Sequence, residues 1–267
     1  MSQLASSRRP VQHADALALR VTDLRMAYGE KLIQEQVNFE VRKGSVFIIM
    51  GGSGCGKSTL LRHLVGLLPP AAGQVCYGRT DYWQADEQEQ NALRSRFGML
   101  FQGGALFSTM TIAENVMLPI KLHEPGCSAA ERRDRAAALL ESVGLADALD
   151  LLPNEISGGM KKRAGLARAL ALEPEVLFLD EPSAGLDPIS SRKLDELILD
   201  VRERTGAAIL IVTHELPSLF AIGDDGIFLD AESKQPIGHG SPKQLLESSP
   251  HAFVQAFLKR ESFSESP

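Results

Sequence analysis

Apolar residues along this chain fall into short blocks with two different periods. "LALRVTDLRMAY" (17–28) alternates apolar and polar positions, and "VNFEV" (37–41) alternates again before a turn at Lys43-Gly44. That period of two predicts half-buried strands. "VFIIM" (46–50), "VLFL" (176–179) and "AAILIVT" (207–213) are instead almost continuously apolar, and "FGMLF" (97–101) and "DGIFLD" (225–230) are nearly so. Such blocks suit strands covered on both faces of a parallel sheet. Between them the pattern is helical, over 58–67 before Pro69 and Pro70, over 129–143 with Ser128 as N-cap, and over 189–205 closed by Gly206.

From about Thr111 to Gly144 the strand signal disappears, which marks an all-helical insert over roughly 103–157. The expected fold is therefore α/β, a mainly parallel sheet with a small antiparallel β layer beside it and an α-helical subdomain inserted in it. Residues 1–16 read as a disordered polar tail, 17–245 as the main domain, and 246–267 as a C-terminal helix and tail.

Composition narrows the classes. The 267 residues carry a net charge of −6 with pI near 5.6, which argues against a nucleic-acid binder. Cys55, Cys76 and Cys127 form no CxxC pair, which speaks against a disulfide framework or a zinc site. No apolar run reaches the roughly 20 residues of a membrane span, so a membrane role would come through another chain.

Chemistry enters at "GGSGCGKST", the residues Gly51, Gly52, Ser53, Gly54, Cys55, Gly56, Lys57, Ser58 and Thr59. This G-x-x-x-x-G-K-[ST] run lies between an apolar strand and a helix, the setting of a phosphate loop in a RecA-like P-loop NTPase. Backbone N–H groups and the helix start would face ATP phosphates, Lys57 would reach the β- and γ-phosphates, and Ser58 would serve Mg²⁺. The strand ending at Asp180 supplies a carboxylate suited to Mg²⁺ through water, and Glu181 beside it is placed to orient or deprotonate an attacking water. Yet Ser157, Gly158 and Gly159 open a second, basic helix that looks like another phosphate cradle.

The order "GGSGCGKST", Gln102, "ISGGM", "VLFLDE", "AGLD" and His214 resembles the ATP-binding subunit of ABC transporters, over about 21–240. The resemblance implies two chains packed head to tail around two ATP molecules. Each ATP would be held by the phosphate loop of one chain and by Ser157, Gly158 and Gly159 of the other. It also implies that Tyr28 stacks on adenine, Gln102 contacts Mg²⁺ or the water, Asp187 bridges the dimer and His214 holds the γ-phosphate. Ile156, Met160 and Gly52 depart from the usual Leu, Gln and Pro or Ala of the family.

"FGMLFQGGALFSTMTIAENVMLPI" and the Met after the signature glycines narrow the likeness to the ATPases of MCE-type lipid transporters, including the Mla phospholipid system. That resemblance implies a membrane permease, an MCE-domain anchored protein and a STAS-domain subunit as partners, with this chain on the cytoplasmic face of the inner membrane. Leu106, Phe107 and Met110 would then line part of a groove for the permease, or else pack within the helical insert. Other cargoes, and a non-transport ABC ATPase, are the alternatives. Near the end, "HAFVQAFLKR" sets Phe253, Val254, Phe257 and Leu258 on one helical face, for a clasp on the partner or for docking on its own domain.

Overall fold

The computed structural model describes residues 16–261. In chain order the elements are β1 (Leu17–Tyr28), β2 (Lys31–Arg42), β3 (Val46–Gly51), α1 (Lys57–Leu64), β4 (Ala72–Tyr77), β5 (Thr80–Asp81), α2 (Glu87–Arg94) and β6 (Phe97–Leu100). The insert contributes α3 (Ile112–His123) and α4 (Ala129–Ser142), followed by α5 (Gly158–Ala169). β7 (Val176–Asp180), α6 (Pro188–Thr205), β8 (Ala208–Val212), α7 (Leu216–Ile222), β9 (Asp225–Leu229), β10 (Pro236–His239), α8 (Pro242–Ser248) and α9 (Ala252–Lys259) complete it.

Two sheets form, in the orders β2-β1-β4-β5 and β10-β9-β3-β8-β7-β6. The first is antiparallel; in the second only β10 runs against its neighbour. Continuous apolar blocks became the parallel strands because alternate residues feed two cores. Phe47, Ile49, Phe178, Leu210 and Val212 meet the antiparallel sheet and α1, while Val46, Ile48, Met50, Leu177, Leu179, Ile209 and Ile211 meet α6 to α9. A third core fills the insert, from Ile112, Val116 and Ile120 of α3 and Leu140 of α4 to Ala164 and Ala167 of α5. The insert's packing thus continues past the expected limit at 157.

Other boundaries also shift. β2 begins at Lys31 rather than 37, because the hairpin with β1 closes at Tyr28↔Lys31. α1 stops three residues short of Leu67: Val65 caps it and Gly66 turns left-handed, ahead of the prolines. The expected domain limit at 245 falls inside α8. Phe253 and Phe257 of α9 set ring edges against Phe228 at 5.8 and 5.1 Å, and Val254 and Leu258 are buried. The apolar face of α9 therefore docks on its own domain, which removes the surface that a clasp on a partner would need. Apart from Ala16, the tail expected over 1–16 lies outside the described residues.

One polar group sits at a cost inside the α6–α7 packing. Asp195 is buried, its Oδ1 has no hydrogen-bond partner, and burial pushes its pKa up to about 6, with Ser218 pulling the other way. A folded pKa above the unfolded one means the folded chain holds the extra proton, so this site loses stability as pH rises from about 4 through 6. Asp195→Asn should therefore raise stability at pH 7 by about 2–3 kcal/mol, a Tm gain of roughly 4–12 °C, and the gain should halve by about pH 5. Thermal unfolding of both proteins across that range checks it.

Candidate nucleotide site

The parallel ladder β3-β8-β7-β6 carries Gly51, Thr213, Asp180 and Phe101 to the same edge of the sheet, so the loops that follow them share one rim. The phosphate loop is the tightest of these. At Gly51, with φ 141°, a Cβ would lie 2.3 Å from the Leu229 carbonyl oxygen and 2.6 Å from Cys55 Sγ. At Gly56, with φ 103°, it would lie 2.7 Å from Ile33. Both positions need glycine because backbone and neighbour exclude a side chain together. Lys57 Nζ, at the start of α1, donates to the Gly51 and Gly52 carbonyls at 2.8 Å each. Cys55 is buried beneath it, and that burial raises its thiol pKa against the pull of Lys57. Ser53 and Gly54 are exposed on the loop and Ser58 in the first turn of α1, with Thr59 half-buried behind them.

Asp180 and Glu181 close the opposite side. Burial raises the Asp180 pKa, with the neighbouring Glu181 adding to it and Arg62 and Lys57 opposing. Asp180 Oδ1 and Glu181 Oε2 are both buried without a protein hydrogen bond, which leaves each an acceptor on the rim. Glu181 is held at three points. Its N–H donates to Val212 O at 2.8 Å, its carbonyl accepts from Lys162 Nζ at 2.8 Å, and its Oε1 lies 2.7 Å from His214 Nδ1. These anchors hold its backbone at φ 49°, a left-handed conformation unusual for Glu.

The other expected residues fall in different surroundings. Gln102 is exposed just after β6, and Tyr28 is 45% exposed at the tip of the β1–β2 hairpin. Ser157 caps α5, its Oγ accepting from Met160 N, with Gly158 exposed and Gly159 half-buried after it. Asp187 caps α6, accepting from the backbone of Ile189 and Ser190 at 3.0 Å each, and its pKa is lowered first by the Ser190 side chain and then by these backbone bonds. Ser157, Gly158, Gly159 and Asp187 line one cleft of about 490 Å³ with Arg163 and Lys193, and no phosphate-loop residue lines it. The two cradles are thus separate within the chain.

The departures from the usual signature have a packing reason. Ile156 is buried in the insert core and Met160 packs against that core, so the apolar pair ties the start of α5 to α3 and α4. Of the three residues expected in a groove, Phe107 lies in a cleft with Phe101, Leu118 and Leu122. Leu106 is drawn into the insert core, and Met110 lines the neighbouring cleft instead.

Two supporting residues escaped the sequence reading. Gln34, fully buried in β2, donates from Nε2 to Cys55 O at 2.8 Å and Asp230 O at 2.6 Å, which fixes the floor of the phosphate loop. Its polarity inside an otherwise strand-like block was the available signal. Lys162 read only as part of a basic helix, yet it is buried, and that burial lowers its pKa against the pull of Glu181 and Glu215.

A glycine-bound phosphate loop, paired acidic groups at a strand end and a covering helical insert define a P-loop ATPase of the ATP-binding cassette type. The family description "ABC transporter" matches residues 34–184, and the chain belongs to that family. It is 39% identical over 246 residues to the intermembrane phospholipid transport system ATP-binding protein MlaF of Haemophilus influenzae, covering 91% of each chain. Identity to MlaF of Escherichia coli is 36%, covering 88% of this chain and 86% of the relative. A probable ribonucleotide transport ATP-binding protein, mkl of Mycobacterium leprae, is 38% identical over 91% of this chain and 69% of its own length. Among solved structures, a dimeric ATP-binding cassette in a post-hydrolysis state bound to ADP and Pi superposes with a TM-score of 0.75 at 30% identity, covering 83% of this chain and 97% of that one.

Replacing Gln34 with Leu should leave the Cys55 and Asp230 carbonyls without that donor. The expected cost is about 2–4 kcal/mol, a Tm lower by roughly 4–16 °C. Nucleotide affinity should fall with it, and calorimetry with a titration of ATP checks both.

Proposed function

We propose that this chain is the ATP-hydrolysing subunit of an ABC transporter, that two copies close around two ATP molecules, and that closure drives a separate membrane permease. The observation that carries this reading is the separation of the two cradles. A signature helix that opens into its own cleft, away from the phosphate loop, is suited to a nucleotide held by another copy. The dimeric cassette of similar fold supports the same arrangement.

In this reading the phosphate loop and Lys57 hold the phosphates of one ATP, and Tyr28 stacks on its adenine. Ser157, Gly158 and Gly159 of the second copy donate to the γ-phosphate through the positive end of α5, and Asp187 lies along the interface. Glu181 accepts the proton of the attacking water at its unpartnered Oε2. His214, already bonded to Oε1 of that carboxylate, donates to the γ-phosphate. The donor set fits Mg²⁺, since Ser58 and the free Oδ1 of Asp180 would hold it with Gln102 alongside. Bound there, the ion would neutralise charge on the transferring phosphate.

The cargo we infer is phospholipid, moved across a Gram-negative envelope in an MCE- and Mla-like system. Both MlaF relatives match this chain over most of their own length, whereas the mkl relative extends further beyond it. Among the described residues no helix is long and apolar enough to cross a membrane. In this reading the chain sits on the cytoplasmic face of the inner membrane through its permease, with an MCE-domain protein and a STAS-domain subunit in the assembly. The cleft with Phe101, Phe107 and Leu122, which are 40%, 52% and 68% exposed, is the surface that suits a permease helix. The name of the mkl relative supports a second reading, a nucleotide cargo.

Affinity purification from detergent-solubilised membranes, with mass spectrometry of bound proteins and lipids, tests this. We expect a permease, an MCE-domain protein and phospholipid. A permease without MCE protein or lipid would discard the phospholipid cargo, and no membrane partner would discard the transport role.

A further inference from the structure

The helix that opens the second cradle is also wired to the first. α5 packs Ala164 and Ala167 into the insert core and Leu166 and Ala169 into the main core, so it belongs to both bodies. Three cations leave it as hydrogen-bond donors. Arg163 reaches Val143 O and Gly144 O, and Arg168 reaches Gly104 O and Ala105 O, all in the insert and the segments leading into it. Lys162 turns the other way, and its Nζ donates to the carbonyl oxygen of Glu181 at 2.8 Å.

That bond is short in chain terms at both ends. Lys162 lies five residues after Ser157, about 7 Å along the helix from its start. At its far end is a peptide group whose conformation decides where a carboxylate points. Glu181 adopts φ 49°, and its other anchors, Val212 O and His214, belong to β8 and the loop after it. Ala184 N also reaches the same carbonyl, at 3.3 Å, from within the same loop. Lys162 is therefore the tie, among the described residues, that joins Glu181 to the signature helix. Lys162 as a whole is buried, 6% exposed, so movement of α5 has little slack through which to be lost.

The geometry points to Lys162 as a positioning residue that couples the two composite sites of the dimer: the helix start that grips the partner's nucleotide sets, through Lys162, the Glu181 carboxylate that serves the chain's own. This rests on the split-site reading above. In that reading an ATP held in trans at Ser157 orders α5, and the ordered helix fixes the Glu181 peptide for the nucleotide held in cis. Filling one site then promotes hydrolysis at the other, and cooperativity arises with no direct contact between the two ATP molecules.

Lys162→Met keeps the apolar stem and removes the donor. Steady-state hydrolysis against ATP concentration, with binding of a fluorescent ATP analogue measured separately, tests the coupling on the full chain. The expected result is a kcat lower by about tenfold with analogue affinity unchanged. The Hill coefficient should fall from about 2 towards 1, and Lys162→Arg, which restores a donor of similar reach, should return both. Lys162→Gln, which is too short to span the gap but keeps a polar end, should behave as the methionine variant does and serves if that variant does not fold. Unchanged cooperativity in the Met or Gln variant beside a cooperative wild type overturns the coupling alone. A wild type that hydrolyses ATP without cooperativity also overturns the coupling, whereas full hydrolysis by isolated monomers would overturn the split site on which it rests.

Discussion

The four parallel strands β3, β8, β7 and β6 decide where every residue of the site falls. Each strand is apolar on both faces, so it is stable only where the antiparallel sheet covers one side and α6 to α9 cover the other. Once that sandwich forms, the register from Ile48↔Ile211 across to Asp180↔Val212 leaves no freedom in which residues reach the rim. Gly51, Asp180, Glu181 and His214 come together there although more than 160 positions separate the first from the last. Slipping one strand by a residue would turn its core residues to the wrong face and move the site with them.

The rim carries groups that would be costly anywhere else. Asp180 and Glu181 each bury an oxygen without a protein donor, Glu181 holds a left-handed backbone, and Lys57 turns its ammonium onto loop carbonyls. Such tension concentrates where a site must receive a charged ligand. The surrounding polar anchors offset it. Gln34 braces the loop from the antiparallel sheet, Val212 and His214 hold Glu181 from β8 and the loop beyond, and Lys162 holds it from α5.

The phosphate loop, the acidic strand end and the parallel sheet were legible in the sequence because each is a local pattern with a local cause. Continuous apolar blocks mean strands covered twice, and glycines before Lys57 mean a backbone turned onto phosphates. The insert was legible as a loss of strand period, and Ser128 as a cap, which its capping box with Glu131 bears out. What the pattern hid depends on distant partners. Nothing near Gln34 announces Cys55 and Asp230, and nothing near Lys162 announces Glu181. Phe253 and Phe257 read equally well as a clasp or a core helix until Phe228 is set beneath them. Leu106 suits groove lining and insert packing equally in sequence, because its partial burial comes from α3 to α5 folding together.

If each active site is built from two chains, mixing two inactive variants should restore hydrolysis. Lys57→Ala disables the phosphate loop. Gly158→Asp places a negative charge at the start of α5, where an added Cβ meets nothing within 4 Å and the fold should be undisturbed. Each variant alone should lack hydrolysis. Mixed in equal amounts, half the dimers should hold one intact site, restoring up to about a quarter of wild-type activity. A mixture as inactive as its components, although it forms mixed dimers, would place the whole reaction within a single chain.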